Sequence, residues 1–197
     1  MTPILILAAG RSSRMLGRDK HIEEIDGVPL LRRLAVAALQ LEEPVFVALP
    51  SVPHPRAETL AGLGVTLLSI PEAAEGMSGS LRGAVARLPK AEGFLLVLGD
   101  LAEIGANEMR AVLTARADHP DHLIWRGATQ TGEPGHPILF AASLISRFAG
   151  LSGDGGGENL VKPLHDQTHL VPLPGHAARR DLDTPEDWAA FRAAPQT

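Results

Sequence analysis

Along the chain, short unbroken apolar runs alternate with stretches in which apolar residues recur every three or four positions. The unbroken runs read as buried strands, and the periodic stretches read as helices lying against them. Strands are predicted at Ile4–Leu7, Val45–Leu49, 65–70 and 94–98, the last wholly apolar and so buried on both faces. Between them, Leu30, Leu31, Leu34, Ala37, Ala38 and Leu41 form one helical face behind Pro29. A short helix is predicted over 56–63, closed by Gly64, with others over 81–88 and 107–117. Further on, strands are predicted at 123–125, 138–140 and 170–173, a loop at 127–135 and a helix at 143–151. In the last helix, Thr184 is the expected N-cap, Pro185 the first helical residue and Asp187 the reciprocal cap partner. This alternation through the first 120 residues predicts an α/β protein with a mostly parallel sheet and helices on both faces. No repeat or long linker divides the 197 residues, so one domain over 1–197 is expected.

Three unusual segments follow predicted strands: Gly10 to Lys20, Glu75 to Ser80, and Gly99-Asp100. In parallel sheets, ligands bind beyond the carboxyl ends of the strands, so the three segments can line one site. The first carries Arg11, Arg14, Arg18 and Lys20, with Asp19 the single acid among them. A loop of small and basic residues at a strand end suits a polyphosphate; an ordinary turn with solvated arginines is the alternative. The loop is neither a Walker A motif nor the paired-glycine dinucleotide fingerprint. The net charge of −5 argues against a general nucleic-acid binder. The absence of cysteine removes disulfides, thiolate metal sites and cysteine catalysis. No signal peptide or membrane span is expected, and a cytoplasmic protein is the default.

Asp100 can cap the segment after it or hold a metal at the rim of the sheet. Mg²⁺ favours one or two carboxylates together with phosphate oxygens. Asp181 and Asp183 would point the same way if that piece is extended, and Thr184 already supplies the helix cap. Gly76-Met77-Ser78-Gly79-Ser80 falls one glycine short of a nucleophile elbow. His119 with His122, and His165 with His169, have spacings a metal could use, but their polar surroundings favour solvated histidines.

Leu7-Ala8-Ala9-Gly10-Arg11-Ser12-Ser13-Arg14-Met15, followed by Lys20, resembles the signature of MobA-like nucleotidyltransferases. The two alanines before the glycine resemble the molybdenum cofactor cytidylyltransferase branch. Gly76 to Arg82, Gly99-Asp100, Gly135-His136-Pro137 and Asp181 to Asp187 resemble later motifs in the same order. The resemblance implies a three-layer Rossmann-like fold of the nucleotide-diphospho-sugar-transferase type. It implies a Mg²⁺-dependent transfer of CMP from CTP to a phosphorylated small molecule such as molybdopterin. GTP, or a sugar or alcohol phosphate acceptor, is the alternative within the class, and a non-catalytic nucleotide-binding module the alternative outside it. By the same resemblance Leu7, Ala8, Ala9, Gly10, Ser12, Gly76 and Ser80 would bind nucleotide. Arg14, Lys20 and Asp100 would be catalytic, and Asp100 and Asp183 would hold the metal. His136, Asp154 and Asp181 would face the acceptor, and a molybdoenzyme or chaperone partner is implied. The chain departs from the pattern at Leu101-Ala102, where proline is usual, and at Glu158, where arginine is usual.

Overall fold

The computed structural model describes residues 1–153 and 155–194. Nine strands and six α-helices are named in chain order: β1 Ile4–Leu7, β2 Glu24–Ile25, β3 Val28–Pro29, α1 Leu30–Leu39, β4 Val45–Leu49, α2 Pro55–Glu58, β5 Thr66–Ser69 and α3 Met77–Ala86. They continue with β6 Gly93–Leu98, α4 Ala106–Asp118, β7 Ile124–Ala128, β8 Pro134–Ala141, α5 Glu158–Val161, β9 Thr168–Pro172 and α6 Pro185–Ala193. Seven strands make one sheet in the order β5-β4-β1-β6-β8-β7-β9, and β2 pairs with β3 in a separate hairpin. The block β5-β4-β1-β6 is parallel throughout. β8 then runs antiparallel to both β6 and β7, while β9 is parallel to β7.

Alternate residues of β1 point to opposite faces, as strand geometry requires. Ile4 and Ile6 enter one core with α1, α4 and α6; Leu5 and Leu7 enter the other with α3 and α5. The result is a three-layer Rossmann-like fold. The chain leaves β1 for β4 on one side and reaches β6 on the other, so the sheet reverses direction beside β1. A crevice at the carboxyl end of β1 follows from that reversal.

Several boundaries differ from expectation, each for a local reason. The helix expected over 56–63 is the single turn α2, because Thr59 Oγ1 takes the Arg56 carbonyl at 2.7 Å. Gly62, not Gly64, has the positive φ that closes the segment. The loop expected at 127–135 is shorter, 129–133, because β7 runs on to Ala128 and β8 starts at Pro134. Thr129 and Glu133 close a tight connection through Thr129 N to Glu133 O at 2.9 Å and Glu133 N to Thr129 Oγ1 at 3.0 Å. Residues Ala142–Gly150 form a 3-10 helix. The segment Glu75 to Ser80 is not a loop at a strand end: Met77 already opens α3, behind Gly76 at φ 99°. The cap expected on α6 is present, with Asp187 N donating to Thr184 Oγ1 and Thr184 N to Asp187 Oδ2.

Candidate active site

The backbone of β1 runs out at Ala8, Ala9 and Gly10. The methyl groups of Ala8 and Ala9 are buried in opposite cores, so those residues can offer only backbone to a ligand. Gly10 does not take a left-handed φ, and a Cβ added there would meet nothing within 4 Å. Its lack of a side chain is required neither by the backbone nor by neighbouring atoms. Past it, Ser13–Met15 forms one 3-10 turn pinned by the fully buried Met15, and the chain reverses at Leu16 and Gly17, both at positive φ.

Arg56, which no sequence motif marks, holds this loop in shape. It is 3% exposed. Its guanidinium donates to Ala8 O at 2.5 Å, Gly10 O at 2.9 Å and Asp19 Oδ2 at 2.7 Å. Burial opposes ionisation of Asp19, but hydrogen bonds from His21 and Arg56 and the charge of Arg56 outweigh it and hold the carboxyl well below its usual range. Ser12 is drawn into the same network, donating to Asp19 Oδ1 at 3.0 Å. Its hydroxyl therefore serves the loop rather than the cleft. Arg18 turns away to pair with Glu23. His21 is buried against Gly99, where a Cβ would come within 2.8 Å of the ring.

A cleft of about 300 Å³ lies over the end of β1. Leu7, Gly10, Arg14 and Lys20 line one side, Gly76 and Ser80 another, and Asp100 the floor. The Ser80 hydroxyl is 3% exposed as a residue and already donates to Gly76 O at 3.0 Å. Lys20 Nζ lies 2.5 Å from Asp100 Oδ2 and 2.5 Å from Asp183 Oδ1. Arg14 contacts the other oxygen of Asp183 at 2.8 Å. Burial works against the Lys20 ammonium, but Asp100 and then Asp183 outweigh it and raise Lys20 above the ordinary lysine range. Burial likewise opposes the Asp100 carboxylate, and the charge of Lys20 overcomes it and lowers the carboxyl. Among the described residues, Asp100 Oδ1 is buried without a hydrogen-bond partner. A buried carboxylate oxygen left unpaired beside a second carboxylate is the donor set a divalent cation satisfies.

Asp183 reaches this point because Leu101 bridges to Asp181 and Leu182 N donates to Asp100 O at 3.2 Å. Leu182 fills the core between the two acids. Burial, followed by the charges of Asp100 and Asp183, raises the Asp181 carboxyl. His136 and Asp181 line an adjoining cavity with Arg126, another residue outside every sequence motif. His136 Nδ1 is buried and unpartnered among the described residues, and burial, then the charge of Arg126, pushes the ring down to about 4. Asp154 lies outside the described residues. His119 stacks on His169 with ring centroids 3.5 Å apart, and His165 pairs with Asp166 instead of joining His169. Among the described residues, no group of three or more acidic, histidine or cysteine side chains is arranged to hold a metal. No helix among them is long and apolar enough to cross a membrane.

Comparison with known proteins places this geometry. No curated protein matches the chain. Among solved structures, Rv0371c from Mycobacterium tuberculosis H37Rv is 25% identical, covers 98% of each chain and has a TM-score of 0.79. A manganese complex of Rv0371c, at 24% identity over 98% of this chain and 99% of that one, has the same TM-score of 0.79. A nucleotidyl transferase from Methanothermobacter thermautotroptrophicus (Mth528) is 22% identical over 98% of this chain and 96% of its own, with a TM-score of 0.77. A CMP:2-keto-3-deoxy-manno-octonic acid synthetase solved with CTP is 14% identical over 98% of both chains, with a TM-score of 0.74. The family model of the MobA-like NTP transferase domain matches residues 4–169. The chain belongs to the MobA-like NTP transferase family, whose chemistry is nucleotidyl transfer.

Proposed function

We propose that residues 1–197 form one nucleotidyltransferase domain that moves CMP from CTP to a phosphorylated pterin-type acceptor, molybdopterin being the first choice, and releases pyrophosphate. A cytoplasmic setting goes with that reading. The observation that carries it is the meeting of Asp100 and Asp183 on one ammonium, with Asp100 Oδ1 buried in the cleft lining and unpaired among the described residues. Those two carboxylates would hold a divalent cation, Mg²⁺ first, and Rv0371c has been solved with manganese. When bound, the cation supplies positive charge to the phosphates and polarises the α-phosphorus.

The chain's own residues do the rest. Gly10 and the backbone of Ala8 and Ala9 would let the nucleotide lie close to the end of β1. Lys20 and Arg14, now on the carboxylates, would turn to the triphosphate. An oxygen of the acceptor phosphate forms a bond to the α-phosphorus as the bond to the pyrophosphate oxygen breaks. The attacking oxygen is already anionic, so no protein base is needed, and catalysis is positioning and charge stabilisation. Two points support CTP: the Ala8-Ala9-Gly10 sequence and the CTP complex of the synthetase that shares the fold.

Thermal unfolding with CTP, GTP, ATP and UTP, each with and without Mg²⁺, tests the reading. A nucleotide at 100 times its dissociation constant adds about 2.7 kcal/mol. CTP with Mg²⁺ should give the largest shift, and Asp100→Asn should abolish pyrophosphate release. A GTP preference would overturn the base assignment, and no shift with any nucleotide would overturn the enzyme.

A further inference from the structure

Beyond Leu98, which the nucleotide cleft shares, lies a cavity of about 210 Å³ between the start of β8 and the segment leading to Asp181. It adjoins one of about 480 Å³, and Arg126, Glu158 and Arg179 line both. The two arginines hang from successive carbonyls of β8. Arg126 Nε donates to Gly135 O at 2.8 Å, and an Arg179 terminal nitrogen donates to Pro134 O at 3.3 Å. The Arg126 side chain is only 13% exposed, yet among the described residues its remaining partner is a single Glu158 oxygen at 3.4 Å. A well-formed ion pair of this type closes to about 2.8 Å, with both prongs of the fork engaged. Glu158 is itself 52% exposed and divided, with Lys162 at 3.5 Å from its other oxygen. Nε is well bonded to Gly135 O, but the shielded terminal nitrogens meet their counter-charge only through a long, one-pronged contact, and an anion with better geometry displaces the carboxylate.

The sequence points to the same place. Position 158 carries glutamate where the resemblance leads one to expect arginine. The positive charge arrives instead from the neighbouring strand, as Arg126, and the glutamate rests against it.

We propose that Arg126 and Arg179 are the docking point for a phosphate monoester on the acceptor, and that Glu158 is the counter-ion that releases Arg126 to it. The inference rests on the proposed function, in which the acceptor is phosphorylated, and adds which residues recognise the phosphate. Two guanidiniums suit a dianion, whereas a carboxylate acceptor needs only one fork. The phosphate held there lies on the Asp181 side of Leu98. From that side, one of its oxygens can approach an α-phosphorus lying in the nucleotide cleft.

The test is a titration with inorganic phosphate, followed by the NMR signals of the Arg126 Nε–H and the Gly135 amide. It is run on the free protein and again with a non-hydrolysable CTP analogue and Mg²⁺ filling the first cleft. Saturable shifts at both signals are expected in each series, while acetate at the same concentration shifts neither. Arg179→Gln should weaken phosphate about tenfold, the scale of one charge-assisted hydrogen bond. Glu158→Gln should tighten it severalfold, because the competing carboxylate is gone. A merely structural Glu158 would give unchanged or weaker binding when replaced, and that result overturns the proposal. Phosphate shifts confined to Arg14 and Lys20 overturn it as well. If the CTP analogue fails to bind, the proposed function fails, while the free-protein series still decides for or against the phosphate site.

Discussion

Gly10 stands at the end of a buried strand with ordinary backbone angles and open space where a side chain would go. Alanine there costs the fold nothing and removes some freedom from the unfolded chain, so Gly10→Ala should leave stability unchanged or raise it by up to about 1 kcal/mol. If that open space exists for a nucleotide, the added methyl should weaken CTP binding about tenfold, which is about 1.4 kcal/mol. Calorimetric titration beside thermal unfolding separates the two effects, and undiminished affinity would remove Gly10 from the site. His136 makes a second prediction at this scale. Its ring titrates at 6.5 in a model peptide and is pushed down to about 4 in the fold, by burial first and then by Arg126. Between those values the unfolded chain binds a proton that the folded chain does not. Stability therefore falls as pH drops from 6.5 towards 4, by at most about 3 kcal/mol, and this contribution levels off below that. Urea unfolding across that range should show a shallower fall for His136→Gln than for the parent protein. Parallel curves would place the ring in contact with solvent.

At the scale of elements, α3 shows how a segment rich in glycine and serine can be a helix. Gly79 sits in its first turn against the preceding segment, and a Cβ there would lie 2.1 Å from the Glu72 carbonyl oxygen. Helix propensity favours alanine by about 1 kcal/mol, but overpacking against backbone costs about 1–3 kcal/mol and wins. Gly79→Ala should therefore lower the unfolding free energy in denaturant titrations, and a stabilised variant would show that the approach can relax. The same segment explains what the sequence could and could not convey. β1 and β6 were legible because unbroken apolar runs have few other uses, and α6 because Thr184, Pro185 and Asp187 form a local cap. The start of α3 was hidden because its glycine at 79 answers to Glu72, a neighbour that only the folded chain supplies. The strand expected at 138–140 lies inside β8, but the start of β8 was hidden behind Pro134 and Gly135, residues that ordinarily mark turns. Asp100 and Asp183 could be picked out by their motifs. Arg56 and Arg126 could not, since an isolated arginine reads as solvent-exposed until the fold buries it.

For the whole molecule, the central fact is that Lys20, Asp100 and Asp183 arrive from three distant parts of the chain and meet as one ammonium between two carboxylates. The strand reversal beside β1 brings the first two together, and the bridge between Leu101 and Asp181 delivers the third. In the free protein a lysine ammonium thus stands between the carboxylates that a divalent cation would use. A divalent cation on that pair would be pressed against the ammonium that bridges both carboxylates, so Lys20 has to leave when the metal arrives. A triphosphate gives the lysine an anionic partner to leave for. Metal and nucleotide should accordingly bind with positive coupling, and by linkage each tightens the other by the same factor. Lys20→Gln removes the cation that bridges both carboxylates, leaves Arg14 on Asp183, and keeps a polar side chain of similar length. Mn²⁺ alone should then bind about tenfold more tightly than in the parent protein, within the usual range of such coupling. The gain on adding CTP should shrink in the variant, because no lysine remains to be displaced. The free Mn²⁺ signal in electron paramagnetic resonance, titrated with and without CTP, measures all four affinities without any turnover. Equal Mn²⁺ affinity in the two proteins would mean that the ammonium and the metal do not compete, and the coupling would have to arise elsewhere in the cleft.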